Sequence, residues 1–147
     1  ENIPVLLIQK EEFNKSGYLR EINQYNPSLI VLAGFLWKIP EILIAQFPHK
    51  IINIHPALLP GYGGKGMYGS AVHMAVINAK EKESGITIHY VDEKYDNGKI
   101  IFQAKCFLDS NETAETLAEK IHNLEHNYFA PTIENILKNN SPMNSTK

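Results

Sequence analysis

Cysteine is almost missing from this chain. Cys106 stands alone, which excludes an internal disulfide and suits a reducing, cytoplasmic compartment. Long apolar runs are missing too: none approaches the roughly 18 residues of a membrane-spanning helix. No signal-peptide pattern opens the chain, which starts with Glu1 and not Met. Neither sign of charge is in excess, because 14 Lys and Arg stand against 16 Asp and Glu. A net charge of −2 gives nucleic acid or an acidic membrane no reason to bind. His49, His73, His89, His122 and His126 are scattered without an HExxH or a Cys/His pairing, so no metal site is expected. Lys65 lies among glycines, but the Walker A spacing and its Ser/Thr are lacking, and residues 61–69 read as an active-site loop. Internal repeats and linkers are also absent, leaving 147 residues as a single domain.

What is present is an alternation of strand-like and helix-like stretches in a chain of 44% hydrophobic and 20% charged residues. Residues 3–8 read as a short buried strand. Glu11–Tyr25 follows as a helix weakened by Gly17, and Leu29–Ala33 (LIVLA) is a continuous apolar run, as expected of a parallel strand covered on both faces. Pro40–Gln46 is a short helix opened by proline, and Ile51–His55 is the next strand. Tyr68–Ala79 reads as an amphipathic helix with Tyr68, Ala71, Val72, Ala75 and Val76 on its inner face. Ile86–Val91 alternates as a half-buried strand and pairs with Ile100–Phe107 across the turn-rich segment 92–98, where Asn97-Gly98 is a hairpin signal. Asn111–Phe129 is helical, with Thr113 as a cap and Leu117, Ile121, Leu124 and Tyr128 in one stripe. Pro131 kinks or restarts it over Thr132–Leu137, and residues 138–147 read as a flexible tail. The order predicts an α/β fold with a doubly wound, mostly parallel sheet and an antiparallel C-terminal strand pair.

One stretch carries chemistry. In IINIHPALLPGYGGKG, Asn53 and His55 sit two apart, so an extended backbone presents both from one face. Pro56 ends the strand there. An amide and an imidazole would then stand side by side at the C-terminal end of a buried strand, the edge where open α/β sheets bind ligands. Taken alone, such a pair is more often a hydrogen-bonded core feature than a catalytic one.

The longer pattern resembles the folate-dependent formyltransferases, most of all those that act on glycinamide ribonucleotide. Four patches carry the resemblance: Leu32-Ala33-Gly34-Phe35, Asn53–Pro60, the run GITIHYVDEKYDNGKIIFQ (85–103), and Leu124-Glu125-His126 with Pro131 beyond. It implies a Rossmann-like fold and transfer of a formyl group from 10-formyltetrahydrofolate, the co-substrate, to the amine of glycinamide ribonucleotide in purine biosynthesis, with no metal. By the resemblance Asn53, His55 and Asp96 are catalytic. Asn53 would donate to the developing oxyanion, and a charged His55, favoured by Asp96, would protonate the leaving nitrogen. The folate would lie against Leu36, Trp37, Lys38 and Ile39, Asn53, and the loop Asp92, Glu93, Lys94, Tyr95 and Asp96. His122, Asn123, Leu124 and Glu125 would hold the acceptor, with Glu125 on its ribose hydroxyls. Trp37 stands where many family members carry arginine.

Read without the resemblance, Asp96 is equally well a turn-former and Glu125 a solvated surface residue. The family also begins with a strand, a glycine turn and a helix whose backbone amides hold the ribonucleotide phosphate. No such segment precedes Ile3, so the chain is expected to be N-terminally truncated. A formyltetrahydrofolate hydrolase and a non-catalytic folate- or nucleotide-binding module stay open as alternatives. The partners implied are small molecules only, and oligomeric state is not legible.

Overall fold

A computed structural model describes residues 2–140. Four strands form one sheet in the order β1-β2-β3-β4, where β1 is Ile30–Leu32, β2 Ile51–His55, β3 Glu83–Tyr90 and β4 Ile100–Phe107. β1 and β2 are parallel, whereas β2–β3 and β3–β4 are antiparallel, so the described sheet is mixed and ends in the expected antiparallel pair. Five helices accompany it: α1 (Lys10–Phe13), α2 (Leu19–Gln24), α3 (Glu41–Gln46), α4 (Ser70–Asn78) and α5 (Ala114–Asn140). None is long and apolar enough to cross a membrane, among the described residues.

The sheet's two faces differ because side chains alternate along each strand. Ile52, Ile54, Ile86 and Ile88 share one face, and Phe129, Ile133 and Ile136 of α5 pack on its Ile52–Ile88 portion. Leu117 and Ile121 of α5 and Val76 of α4 pack beside them against Ile86. The opposite face carries Ile51, which joins Phe13, Leu19 and Leu43 of α1–α3 in a second cluster. Beyond Ile51 that face turns polar, with Asn53 and His55 on β2 and Thr87 and His89 on β3. Helices on both faces of a sheet make the α/β class.

Several local expectations are corrected. Residues 3–8 are not a strand. Their alternation is real, with Leu6 and Ile8 packed on the α1–α3 cluster while Ile3, Val5 and Leu7 stay exposed, but no neighbouring strand completes a ladder beside β1. β1 is itself an edge of the described sheet, and its Val31 is exposed rather than covered. The helix expected over 11–25 is two helices, since residues 14–18, with Gly17, break it. On α4 the inner face is Val72, His73 and Val76; Tyr68 is exposed because the helix begins only at Ser70, and Ala71 because it lies off the Val72–His73–Val76 face. β3 does not alternate between buried and open: six consecutive residues from Ser84 to His89 are buried, because both of its faces are covered.

α5 is one helix that includes Pro131 and runs on through Lys138 to Asn140. The three residues 138–140 therefore depart from the tail expected over 138–147, and residues 141–147 lie outside the described residues. A missing amide at Pro131 costs one helical bond, and the packing of Ile133 and Ile136 on the sheet holds the next turn in place. Thr113 acts as the expected cap, its Oγ1 accepting from the Thr116 amide at 3.2 Å.

Candidate active site

Period-2 geometry and register build the site together. Asn53 faces His89 across the antiparallel β2–β3 pair, and His55 faces Thr87. Asn53 Nδ2 lies 3.3 Å from His89 Nε2. His89 Nδ1 donates to the Tyr90 carbonyl at 2.8 Å, which leaves Nε2 facing the Asn53 amide. His55, 3% exposed, donates from Nε2 to the Tyr62 carbonyl at 2.7 Å. Thr87 pins the chain after β2: its hydroxyl donates to the Ala57 carbonyl at 2.7 Å and accepts from the Leu59 amide at 2.9 Å. Gln103 donates to the Leu59 carbonyl at 3.0 Å and to Thr87 Oγ1 at 2.9 Å.

The 91–99 connection brings a carboxylate to this floor. Asp92 organises the turn by accepting from the Lys94 amide at 2.8 Å and from Asn97 Nδ2 at 3.0 Å. Asp96 takes a left-handed backbone, φ 51°, which aspartate tolerates better than most residues. Gly98 has no room for a Cβ, which would stand 1.7 Å from the Tyr90 carbonyl. The result places Asp96 Oδ1 3.7 Å from both His55 Nδ1 and His89 Nε2. Its Oδ2 accepts from the Gly64 amide at 2.9 Å, tying the glycine-rich loop to the same carboxylate.

Burial sets the electrostatics. It pushes His55 below the ordinary histidine value, and Asp96 and the Tyr62 carbonyl offset this only in part. The imidazole is therefore neutral at pH 7 in the unliganded site, although Asp96 favours its charged form. Burial also acts to raise Asp96, but His89, the Gly64 amide and His55 outweigh it, so the carboxyl lies below its usual range. Asp96 is ionised beside a neutral imidazole, ready to stabilise a proton that arrives there.

These residues form part of the wall of a cavity of about 900 Å³. Residues 1–133 match the family model described as formyl transferase. The chain belongs to the formyl transferase family. It is 40% identical over 137 residues to the chloroplastic phosphoribosylglycinamide formyltransferase of Arabidopsis thaliana, covering 89% of this chain and 47% of that protein. The Bacillus subtilis (strain 168) phosphoribosylglycinamide formyltransferase is 36% identical over 141 residues, covering 92% and 70%. Among solved structures, phosphoribosylglycinamide formyltransferase from Anaplasma phagocytophilum superposes with a TM-score of 0.83 at 31% identity, over 93% of this chain and 65% of that one. The chain spans just under half the length of the plant relatives it matches.

The formyl transferase fold brings most of the expected residues to one cavity. Asn53, His55 and Asp96 meet on its wall, together with Leu36, Trp37, Lys38 and Ile39. Asp92, Lys94 and Tyr95 from the 91–99 loop, and His122 and Glu125 from α5, also line it. Glu93 and Asn123 are exposed and lie off the cavity wall, and Leu124 packs into the core beside Leu117. Trp37 sits in an aromatic group, 5.5 Å from the Phe13 ring and 5.7 Å from that of Phe35. Glu125 Oε2 pairs with His122 Nδ1 at 3.0 Å, one helical turn apart. Two positions that help build the site escape sequence reasoning. His89 reads as a structural histidine until the β2–β3 register sets it against Asn53, and Thr87 gives no signal until the 56–59 segment folds over it. Among the described residues no group of three or more His, Cys, Asp or Glu is placed to hold a metal ion.

Proposed function

We propose that the full protein transfers a formyl group from 10-formyltetrahydrofolate to the primary amine of glycinamide ribonucleotide, a step of purine biosynthesis. The observation that carries this reading is the convergence of Asn53, His55 and an ionised Asp96 on one cavity wall in a chain of this family. The amine attacks the formyl carbon, and the oxygen charge that develops is met by the free N–H of Asn53. Neutral His55 takes the proton the amine releases and holds it as an imidazolium beside Asp96. It then returns that proton to the nitrogen that leaves with the folate as the carbon–nitrogen bond breaks. One proton leaves the amine and one reaches the folate, so the step is balanced without a metal.

In this reading the folate lies between the Leu36–Ile39 segment and the loop carrying Asp92, Lys94 and Tyr95. The acceptor's sugar lies toward His122 and Glu125. The protein is also proposed to contain further strands beside β1, beyond these 147 residues; the exposed Ile3, Val5, Leu7 and Val31 and the half-length match to the plant relatives support this. Intact mass of the protein isolated from its source tests that extension, and a mass equal to 147 residues would overturn it. Activity is tested by following tetrahydrofolate formation with and without glycinamide ribonucleotide. Dependence on the amine is expected; equal release in its absence would make the protein a hydrolase, and no release in either case would make it a binding module.

A further inference from the structure

A second group of titratable side chains faces the cavity, away from Asp96. It consists of His73 on α4 with His122 and Glu125 on α5. His73 is 6% exposed, and no hydrogen-bond partner reaches its Nδ1 among the described residues. Its helix neighbours Val72 and Val76 are buried apolar residues. A buried polar atom left unpaired is costly, and where it faces a cavity a bound ligand can supply its partner. Burial holds the His73 imidazole below the ordinary histidine value; His122 lowers it further and Glu125 offsets this in part. The wall therefore presents a neutral imidazole next to a carboxylate. Phosphate is the wrong ligand for that pair, since Glu125 would repel it. Hydroxyl groups suit it: Glu125 accepts from one, and a neutral imidazole donates to or accepts from its neighbour.

We infer that His73 is a specificity-determining residue for the acceptor, binding a sugar hydroxyl together with Glu125. This rests on the acceptor assignment made above and extends it to a residue on a different helix. The α4–α5 contact holds the two side chains on one wall, so a ligand hydroxyl pair, rather than a single hydroxyl, is the feature read.

The test uses full-length wild-type protein, His73→Leu and His73→Gln, each with glycinamide ribonucleotide and with its 2′-deoxyribosyl analogue. His73→Leu is expected to raise KM for the acceptor about tenfold, the size of one lost hydrogen bond, with kcat within about twofold and the folate KM unchanged. His73→Gln should recover most of the loss. The deoxy analogue should cost the wild type a similar factor but cost His73→Leu little more, because the same contact is removed only once. An unchanged KM, or a full additional loss on the analogue, overturns the inference. Should His73→Leu fail to fold, His73→Ala, which also removes the ring nitrogens, takes its place with the same expected outcomes. Imidazole NMR separates this claim from the proposed activity. Perturbation of the His73 resonance by glycinamide ribonucleotide, and not by inorganic phosphate, upholds the contact even if no formyl moves, whereas no perturbation overturns it.

Discussion

His55 and Asp96 meet the same desolvation penalty with opposite outcomes. The imidazole stays neutral because desolvation disfavours its charge, while the carboxylate stays ionised because hydrogen bonds from His89 and the Gly64 amide outweigh the same penalty. If neutral His55 is the proton acceptor, the acid limb of kcat/KM is expected to lie below 6.5, the ordinary histidine value, since a lowered pKa extends the neutral form toward acid. An acid limb above that value would contradict the role. His55→Ala and Asp96→Asn are each expected to lower kcat by about a hundredfold or more with the fold retained, as checked by circular dichroism and single-turnover assay. His89 acts one step back. It fixes the Asn53 amide, so His89→Leu is expected to lower kcat less than loss of Asn53 does, with both KM values nearly unchanged.

The elements hold this geometry through loops more than through strands. Thr87 is fully buried and serves the Ala57 carbonyl and the Leu59 amide at once. Thr87→Val would leave both unsatisfied and is expected to cost about 1–3 kcal/mol in chemical denaturation, with an unchanged midpoint as the contrary result. The glycine-rich loop is set by contact as well as by backbone freedom. A Cβ at Gly63 would come within 2.6 Å of Leu59 Cδ2 and 3.1 Å of Asp96 Cβ. Gly63→Ala is therefore expected to push the loop off Asp96, weakening the Gly64 amide bond and lowering kcat while α4 and α5 keep their helicity. Backbone amide NMR of Gly64 reads this directly.

At the scale of the whole molecule, burial of His55 and His73 makes stability depend on pH with a definite sign. Both have folded-state values below the ordinary 6.5. The unfolded chain therefore binds protons first as pH falls, and stability decreases with acidification from about 6.5 down through the folded values. Asp96 adds a second loss further into acid, as pH falls from its ordinary 3.8 through its lower folded value. Glu112, which accepts from Lys120 and Thr116 and is held at about 2, behaves in the same way from its ordinary 4.5 down. Urea midpoints measured from pH 8 to pH 5 are expected to fall, and His73→Gln should flatten that slope. A slope unchanged by the substitution would exclude His73 as a contributor.

The sequence by itself determined the class of the fold, the position of most elements and the central pair Asn53 and His55. These are local matters: alternation of side chains, a proline that ends a strand, and a continuous motif of eight residues from Asn53 to Pro60. Asp96 and Glu125 were legible only through resemblance, because an aspartate in a turn and a glutamate on a helix look the same whether or not they face a ligand. Tertiary structure decided the rest. Only register sets His89 against Asn53, only the folding of segment 56–59 gives Thr87 its two partners, and only helix packing brings His73 to the wall that carries Glu125. Residues 3–8 show the converse: their pattern is that of a strand, but a strand needs a neighbour to hydrogen-bond, and no local pattern supplies one. The downward shift of His55 likewise comes from burial, a property of the assembled molecule that no spacing of residues along the chain records.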